Sequence, residues 1–328
     1  MKAMILAAGF GTRLFPLTAD RPKPAIPVLN RPLIGYSIEY LKQWGVSDFV
    51  VNLHYKGEAI QAALGDGGQW DCRIAYSHEE GLILGTSGAL DHARRLLPNE
   101  TFIVMNGKVV TSVNLAEALE THRARRALAT LILKPNPCGE RFSVVEVDDD
   151  GHIQRFGGFP APDAASDALM FTGIQILEPE IFDYIPRGVF SHSTTDVYPK
   201  VIAAGRPVVA HVARGAHERW HEFSTLERYL NLNFILSGTG PLSVILGAGC
   251  LLADDVALER TILWDRVAVG AGATLHDVIV GDDVTIPPGA HLARAAVVRA
   301  DKVARAELAA KLADGCVRVD GENLIVPF

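Results

Sequence analysis

Gly9 and Gly11 follow a short apolar run over residues 2–6, Arg13 stands just beyond the second glycine, and Lys23 is set between Pro22 and Pro24. These residue types at this spacing can hold a phosphate chain. Glycines let the backbone approach anionic oxygens closely. The Arg13 guanidinium offers a planar fork for two parallel phosphate contacts, and Lys23 offers a point charge on a long stem. Two cations on neighbouring loops describe a clamp for a nucleoside triphosphate. The pattern is neither a Walker loop nor the dinucleotide fingerprint, because Gly11 leads into Thr12-Arg13 and no Gly-Lys-Ser or Gly-Lys-Thr occurs.

The elements that must position this loop follow from periodicity. Apolar strands are expected at 48–54, 73–78, 101–105 and 128–133, alternating with helical stretches, which is the α/β pattern. One helix should bury Leu33, Ser37, Tyr40, Leu41 and Trp44, and another Ala89, Leu90, Ala93, Leu96 and Leu97. Open parallel sheets bind ligands beyond the carboxyl ends of their strands, so residues 7–13 and 106–108 should face one cleft.

With 328 residues, 48% of them hydrophobic, the chain can bury a substantial core and should form two domains. Its net charge of −7 argues against bulk nucleic-acid binding. Cys72, Cys138, Cys250 and Cys316 are widely spaced without a CxxC pair, so reduced thiols in a cytoplasmic protein are expected rather than disulfides or structural zinc. No apolar run approaches the ~20 residues of a membrane span, and the chain opens on a strand, so neither a membrane nor an export signal is expected.

From about residue 242 an aliphatic residue followed by glycine or another small residue recurs roughly every six positions, a hexapeptide repeat. Leu246, Val269, Val280 and Ile286 should point inward along a short left-handed parallel β-helix. Its exposed ends could pair with a second copy of the chain, or a final helix near 305–312 and the strand-like ENLIVPF could cap it.

Several further blocks carry a resemblance: VVNLHYKGEAIQAALGDG, HEEGLILGTSGAL, FTGIQILEPEIFDYIP, TDVYPKVIAAG and the W-x-E-x-S-T-x-x-x-Y segment from Trp220 to Tyr229. Together with the first loop they resemble the sugar-phosphate nucleotidylyltransferases, in particular the mannose-1-phosphate guanylyltransferase-like members with a C-terminal β-helix. The resemblance implies a Rossmann-like nucleotidyltransferase domain with a mixed, mainly parallel sheet over 1–240. The β-helix would follow over 241–298, and a helix and strand-like tail over 299–328. It implies transfer of a nucleoside monophosphate from a nucleoside triphosphate, GTP favoured, to a sugar 1-phosphate, mannose 1-phosphate favoured, with release of pyrophosphate. Ala7, Gly9, Gly11, Thr12 and Arg13 would cradle the nucleotide phosphates, and Lys23 would lie near the reacting centre. Glu80, Gly85 and Thr86 would read the base, and Asn106, Thr172 and Gly173 the sugar. The block at 80–86 also reads as a plain turn and helix cap.

Three segments depart from the family pattern. Lys108 stands where an aspartate usually helps hold Mg2+, and Glu222 stands where a second metal-binding aspartate is usual. Gly158, Phe159 and Pro160 replace a Glu-Lys-Pro beside the sugar phosphate, although Lys134 or Lys200 could supply charge. At ~4 Å and an effective dielectric of about 20, a lysine and a divalent ion repel by ~8 kcal/mol before screening. The resemblance implies a Mg2+ cofactor with Glu222 as a metal ligand, but these residues do not form the ordinary two-carboxylate site. Lys108 could instead pair with Glu222 across the empty site and swing onto the triphosphate, taking part of the cation's role. Catalysis could also have been lost, leaving a homologue that binds nucleotide or nucleotide-sugar and regulates a partner; or Lys108 could point to solvent.

His217-Glu218-Arg219-Trp220-His221 spells HExxH, which needs a helix to bring both imidazoles onto one zinc. Here the surroundings predict an extended segment.

Overall fold

The computed structural model of the protein describes residues 1–136, 142–158, 168–240 and 243–328. Cys138, Phe159 and Pro160 lie outside them, as do residues 241–242 at the start of the expected second domain. The chain divides into two compact units, one of Met1–Gly9 with Ile34–His221 and the other of Phe10–Leu33 with Glu222–Phe328.

The first unit is built on a nine-stranded mixed sheet. Lys2–Leu6 lies between Asp48–Leu53 and Phe102–Asn106, parallel to both, and Arg73–His78 extends that parallel side. These strands read as continuous apolar runs because both faces are covered, and Ala3, Met4 and Ile5 have no exposed surface. Leu169–Leu177 runs antiparallel to Phe102–Asn106, Ala129–Pro135 and Val144–Val147, and Val208–Val212 pairs in parallel with Ala129–Pro135. Leu33–Gln43 is helical, and Ile34, Ser37, Ile38, Tyr40 and Leu41 are buried along it. The buried Tyr40 hydroxyl donates to Val113 O at 2.9 Å. Gly85–His92 forms the second expected helix, continued as a tighter turn over Arg94–Leu96.

His122, on the helix Leu115–Ala124, is buried between Thr130 Oγ1 at 2.8 Å and Glu178 Oε1 at 2.9 Å. Burial holds its pKa below the ordinary imidazole value, outweighing the attraction of Glu178. The native state therefore favours neutral His122. Its contribution to stability is complete above the unfolded value near 6.5 and declines as pH falls below it, because the unfolded chain takes the proton first. Urea unfolding at pH 7.5 and pH 5.5 should show a larger loss in the wild type than in His122→Asn.

In the second unit the strands from Val244 to Arg299 stack in parallel as a β-helix. Each rung meets the next at an offset of 17 residues, as in the Arg260–Asp277 and Arg266–Asp283 ion pairs. That is one residue short of three hexapeptides. Leu263, Val269, Leu275, Val280, Ile286 and Val297 fill the interior. Of the four residues expected to point inward, Val269, Val280 and Ile286 are buried. Leu246 is not; it keeps 41% of its surface exposed, because Val244–Leu246 is an edge strand with no rung on its outer side among the described residues. The opposite edge is covered by Asn323–Pro327, antiparallel to His291–Arg299, which is the ENLIVPF segment acting as a cap. Arg305–Ala313 forms the final helix.

Candidate active site

In the first unit the site is assembled at the carboxyl ends of the parallel strands. Leu6 is in register with both Asn52 and Asn106, which sets Ala7 and Gly107 side by side, and Gly107 N donates to Leu6 O at 2.9 Å. A Cβ at Gly107 would fall 2.9 Å from the Ile5 side chain, so glycine is what permits this approach. Lys108 follows it, half-buried.

Ala7 is held by a relay that the motif reading did not find. Its N–H donates to Asn52 Oδ1 at 2.7 Å, Asn52 Nδ2 donates to Glu79 Oε1 at 2.6 Å, and Leu84 N donates to Glu79 Oε2 at 2.7 Å. Glu79 is 4% exposed, whereas Glu80 is on the surface. The relay ties the start of the glycine turn to the segment leading into Gly85. Both Glu79 oxygens face donors, so Glu79→Gln must set its NH2 against one of them. That change should cost about 1–3 kcal/mol, read from the urea midpoint. The only hint in the sequence was an asparagine in an apolar strand and a doubled Glu-Glu.

Gly85 has φ of 76° and begins the helix; a Cβ there would meet Ser191 O at 2.5 Å. Thr86 Oγ1 accepts from Ser193 N at 2.8 Å, and the Ser87 and Gly88 amides donate to Ser191 O at 3.0 and 3.1 Å. The segment around Ser191 thus occupies much of the first helical turn. Thr172 is buried and its hydroxyl donates to Ile132 O at 2.7 Å, while its carbonyl accepts from Trp220 Nε1 at 2.9 Å. Gly173, with φ of 83°, leaves room for Asn106, whose Nδ2 would lie 2.2 Å from a Cβ at that position. Asn106 and Gly173 are therefore brought together. Lys134 donates to Glu218 O at 2.9 Å, and Lys200 is exposed.

In the second unit Gly11, with φ of 68°, packs its Cα side against Lys23, whose Cβ would lie 3.1 Å from a Cβ on the glycine. Thr12–Leu14 is a single tight helical turn, on which Thr12 and Arg13 are exposed. Lys23–Ala25 is a second such turn, started by Pro22. The Lys23 ammonium is buried, 3.0 Å from Glu222 Oε1, donates to Phe223 O, and lies 4.6 Å from the centre of the Phe223 ring. Glu222 is thus engaged by Lys23 within the second unit. Neither Lys108 nor Glu222 by itself fits a magnesium ion held by two carboxylates: Lys108 is a cation where that site needs an anion, and in the second unit Glu222 faces the Lys23 ammonium. Among the described residues no group of three or more His, Cys, Asp or Glu is placed to hold a metal.

His217 to His221 is not helical. Glu218 turns its carboxylate to the amides of Asn114 and Gly215, at 2.9 and 2.7 Å, and Trp220–Glu222 is extended. Cys72, Cys250 and Cys316 are free thiols. No helix among the described residues is long and apolar enough to cross a membrane.

Residues 2–237 match the Nucleotidyl transferase family model. The chain belongs to the nucleotidyl transferase family. It is 37% identical over 222 residues to a UTP–glucose-1-phosphate uridylyltransferase of Synechocystis, covering 64% of this chain and 57% of that relative. It is 39% identical over 194 residues to an N-acetylmuramate α-1-phosphate uridylyltransferase of Neisseria meningitidis, covering 57% and 80%. Against a mannose-1-phosphate guanylyltransferase of Mycobacterium tuberculosis the identity is 27% over 302 residues, covering 89% and 83%. The chain therefore spans just over half the length of the first of these relatives and most of the other two. In fold it is similar to a Bacillus anthracis structure described as a glucose-1-phosphate thymidylyltransferase, with a TM-score of 0.63 at 22% identity, over 73% of this chain and 96% of that one. The chain is thus similar in sequence to relatives named for different bases and sugars.

Proposed function

We propose that this nucleotidyl transferase moves a nucleoside monophosphate from a nucleoside triphosphate to a sugar 1-phosphate, with GTP and mannose 1-phosphate as the favoured pair. The observation that carries the reading is the glycine loop itself, where Gly11 packs on Lys23 beside an exposed Arg13. An oxygen of the sugar phosphate attacks the α-phosphorus in line, the bond from that phosphorus to the bridging oxygen breaks, and pyrophosphate leaves. Such a step is governed by positioning and by neutralising charge. Arg13 takes the departing pyrophosphate, Lys23 the phosphate near the reacting centre, Lys108 part of the charge usually met by a metal, and the backbone of Ala7, Gly9, Gly11 and Thr12 lies along the chain. Glu80, Gly85 and Thr86 face the base, and Asn106 with the backbone at Thr172 and Gly173 faces the sugar. The reaction fits a cytoplasmic protein, and the β-helix edge strand Val244–Leu246 fits association with a second copy.

Lys108 also favours a second reading, a family member that binds nucleotide or nucleotide-sugar without turnover and regulates a partner. Pyrophosphate release, measured with each nucleoside triphosphate and mannose or glucose 1-phosphate, with Mg2+ or with chelator, separates the two. Release that survives chelation supports the lysine role, and release abolished by chelator contradicts it. Tight nucleotide binding without release from any pair supports the second reading. Lys108→Asp should raise dependence on Mg2+.

Gly9 supplies a test of phosphate contact. Nothing lies within 4 Å of a Cβ built there and its φ is not positive. Gly9→Ala should therefore shift stability by no more than ~0.5 kcal/mol yet weaken nucleotide affinity about tenfold, a close-contact loss of ~1.4 kcal/mol.

A further inference from the structure

The loop bearing Lys23 is held by side chains of the β-helix and of the helix before it. Arg21, two residues before Lys23, meets Asp282 at 2.5 Å and Asp20 at 3.0 Å, and its guanidinium lies 4.8 Å from the centre of the Trp264 ring. Burial alone would lower the Arg21 pKa, but the two carboxylates outweigh it and hold it above the usual guanidinium value. Asp282 also accepts from Asp265 N at 3.0 Å through its other oxygen, so the same carboxylate spans a rung of the coil and the loop.

A second route reaches Lys23 itself. Trp264 Nε1 donates to the Tyr229 hydroxyl at 2.9 Å, and that hydroxyl donates to Pro27 O. The Tyr229 ring packs on Phe223 with centroids 5.4 Å apart, and Phe223 supplies both the carbonyl and the ring face that hold the Lys23 ammonium. Asn233, one helical turn beyond Tyr229, accepts from Leu29 N at 2.9 Å and donates to Tyr229 O at 2.9 Å. Tyr229, Asn233 and Trp264 are each at most 3% exposed, so this is a packed linkage rather than a set of surface contacts.

We infer that Asp282 and Trp264 of the β-helix are positioning residues for the phosphate-binding loop, acting through Arg21 and through Tyr229 and Phe223 on Lys23. The β-helix then has a part in the nucleotide site in addition to any part in assembly. The assignment to a nucleotide loop rests on the function proposed above, whereas the linkage itself does not. A coil gives the loop a rigid base because each rung is fixed by the next through its full ladder. A packed linkage transmits displacement, since close-packed interiors have few voids to absorb it. Sub-ångström placement of a cation is what a charge-neutralising site requires.

The test compares Asp282→Asn, which keeps an oxygen for Asp265 N, with Leu275→Ala, which opens a gap inside the coil away from the loop. Hydrogen exchange at the loop amides of Leu14, Leu17, Ala25 and Ile26, measured without ligand, should accelerate at least tenfold in Asp282→Asn. In Leu275→Ala it should change no more than the coil as a whole. GTP affinity by calorimetry should weaken about tenfold in Asp282→Asn, recover by half or more in Asp282→Glu, and stay within twofold of wild type in Leu275→Ala. Unchanged loop exchange in Asp282→Asn overturns the inference, as does equal acceleration in both variants. If the loop loosens as expected but wild-type protein binds no nucleoside triphosphate, the linkage stands and the function assigned to the loop fails.

Discussion

Lys23→Met is expected to lower stability by about 3–5 kcal/mol and to abolish measurable nucleotide binding. The Lys23 and Glu222 side chains are 8% and 4% exposed, so the ion pair is desolvated at both ends. Methionine fills nearly the same volume and removes the charge, taking the ammonium away from a buried carboxylate and from the Phe223 carbonyl, both acceptors. Breaking one side of a buried pair is costly, whereas replacing both sides with apolar groups of similar size is often neutral. The double variant Lys23→Met with Glu222→Leu should therefore regain most of the lost stability while remaining unable to bind nucleotide. Urea unfolding and calorimetric titration with GTP read the two effects separately. A double variant that regained binding along with stability would reduce Lys23 to a structural residue.

Gly173→Ala carries the second largest expected effect. At φ of 83° an L-residue is strained, which costs about 1–2 kcal/mol. The added Cβ would stand 2.2 Å from Asn106 Nδ2, 2.9 Å from its Cγ and 3.2 Å from its Cβ. Overpacking of this kind adds about 1–3 kcal/mol. Asn106 cannot move as a whole, since its backbone is fixed in register with Leu6, so its amide must rotate away. The variant should lose about 2–5 kcal/mol and, where it remains folded, bind sugar 1-phosphate at least tenfold more weakly while GTP affinity changes little. Equal losses for both ligands would show a general collapse of the strand ends rather than a role for Asn106.

The parallel strands were legible because burial on both faces forces continuous apolar runs, and the β-helix because each rung repeats the same inward positions. Gly11, Arg13 and Lys23 were legible as a loop because their local spacing is itself the signal. What could not be read was which carboxylate meets which cation. Glu222 lies 3.0 Å from Lys23, a contact between residues far apart in the chain. Nothing local distinguishes buried Glu79 from exposed Glu80; the choice is made by Asn52 on the neighbouring strand. The grouping of Phe10–Leu33 with the C-terminal unit was hidden for the same reason, since contacts such as Arg21–Asp282 leave no local pattern. Leu246 shows the converse limit, in register with the interior Leu263 yet on an edge strand that leaves 41% of it exposed.

The central claim is that the glycine loop holds a triphosphate whose α-phosphorus is attacked by a sugar phosphate. It is tested most directly with mannose 1-phosphate carrying 18O in its phosphate, incubated with GTP and followed by 31P NMR. The account predicts a nucleoside diphosphate sugar whose β-phosphorus keeps every labelled oxygen, formed in step with unlabelled pyrophosphate. Labelled pyrophosphate, label lost to water, or no sugar nucleotide from any triphosphate and sugar phosphate pair would contradict it.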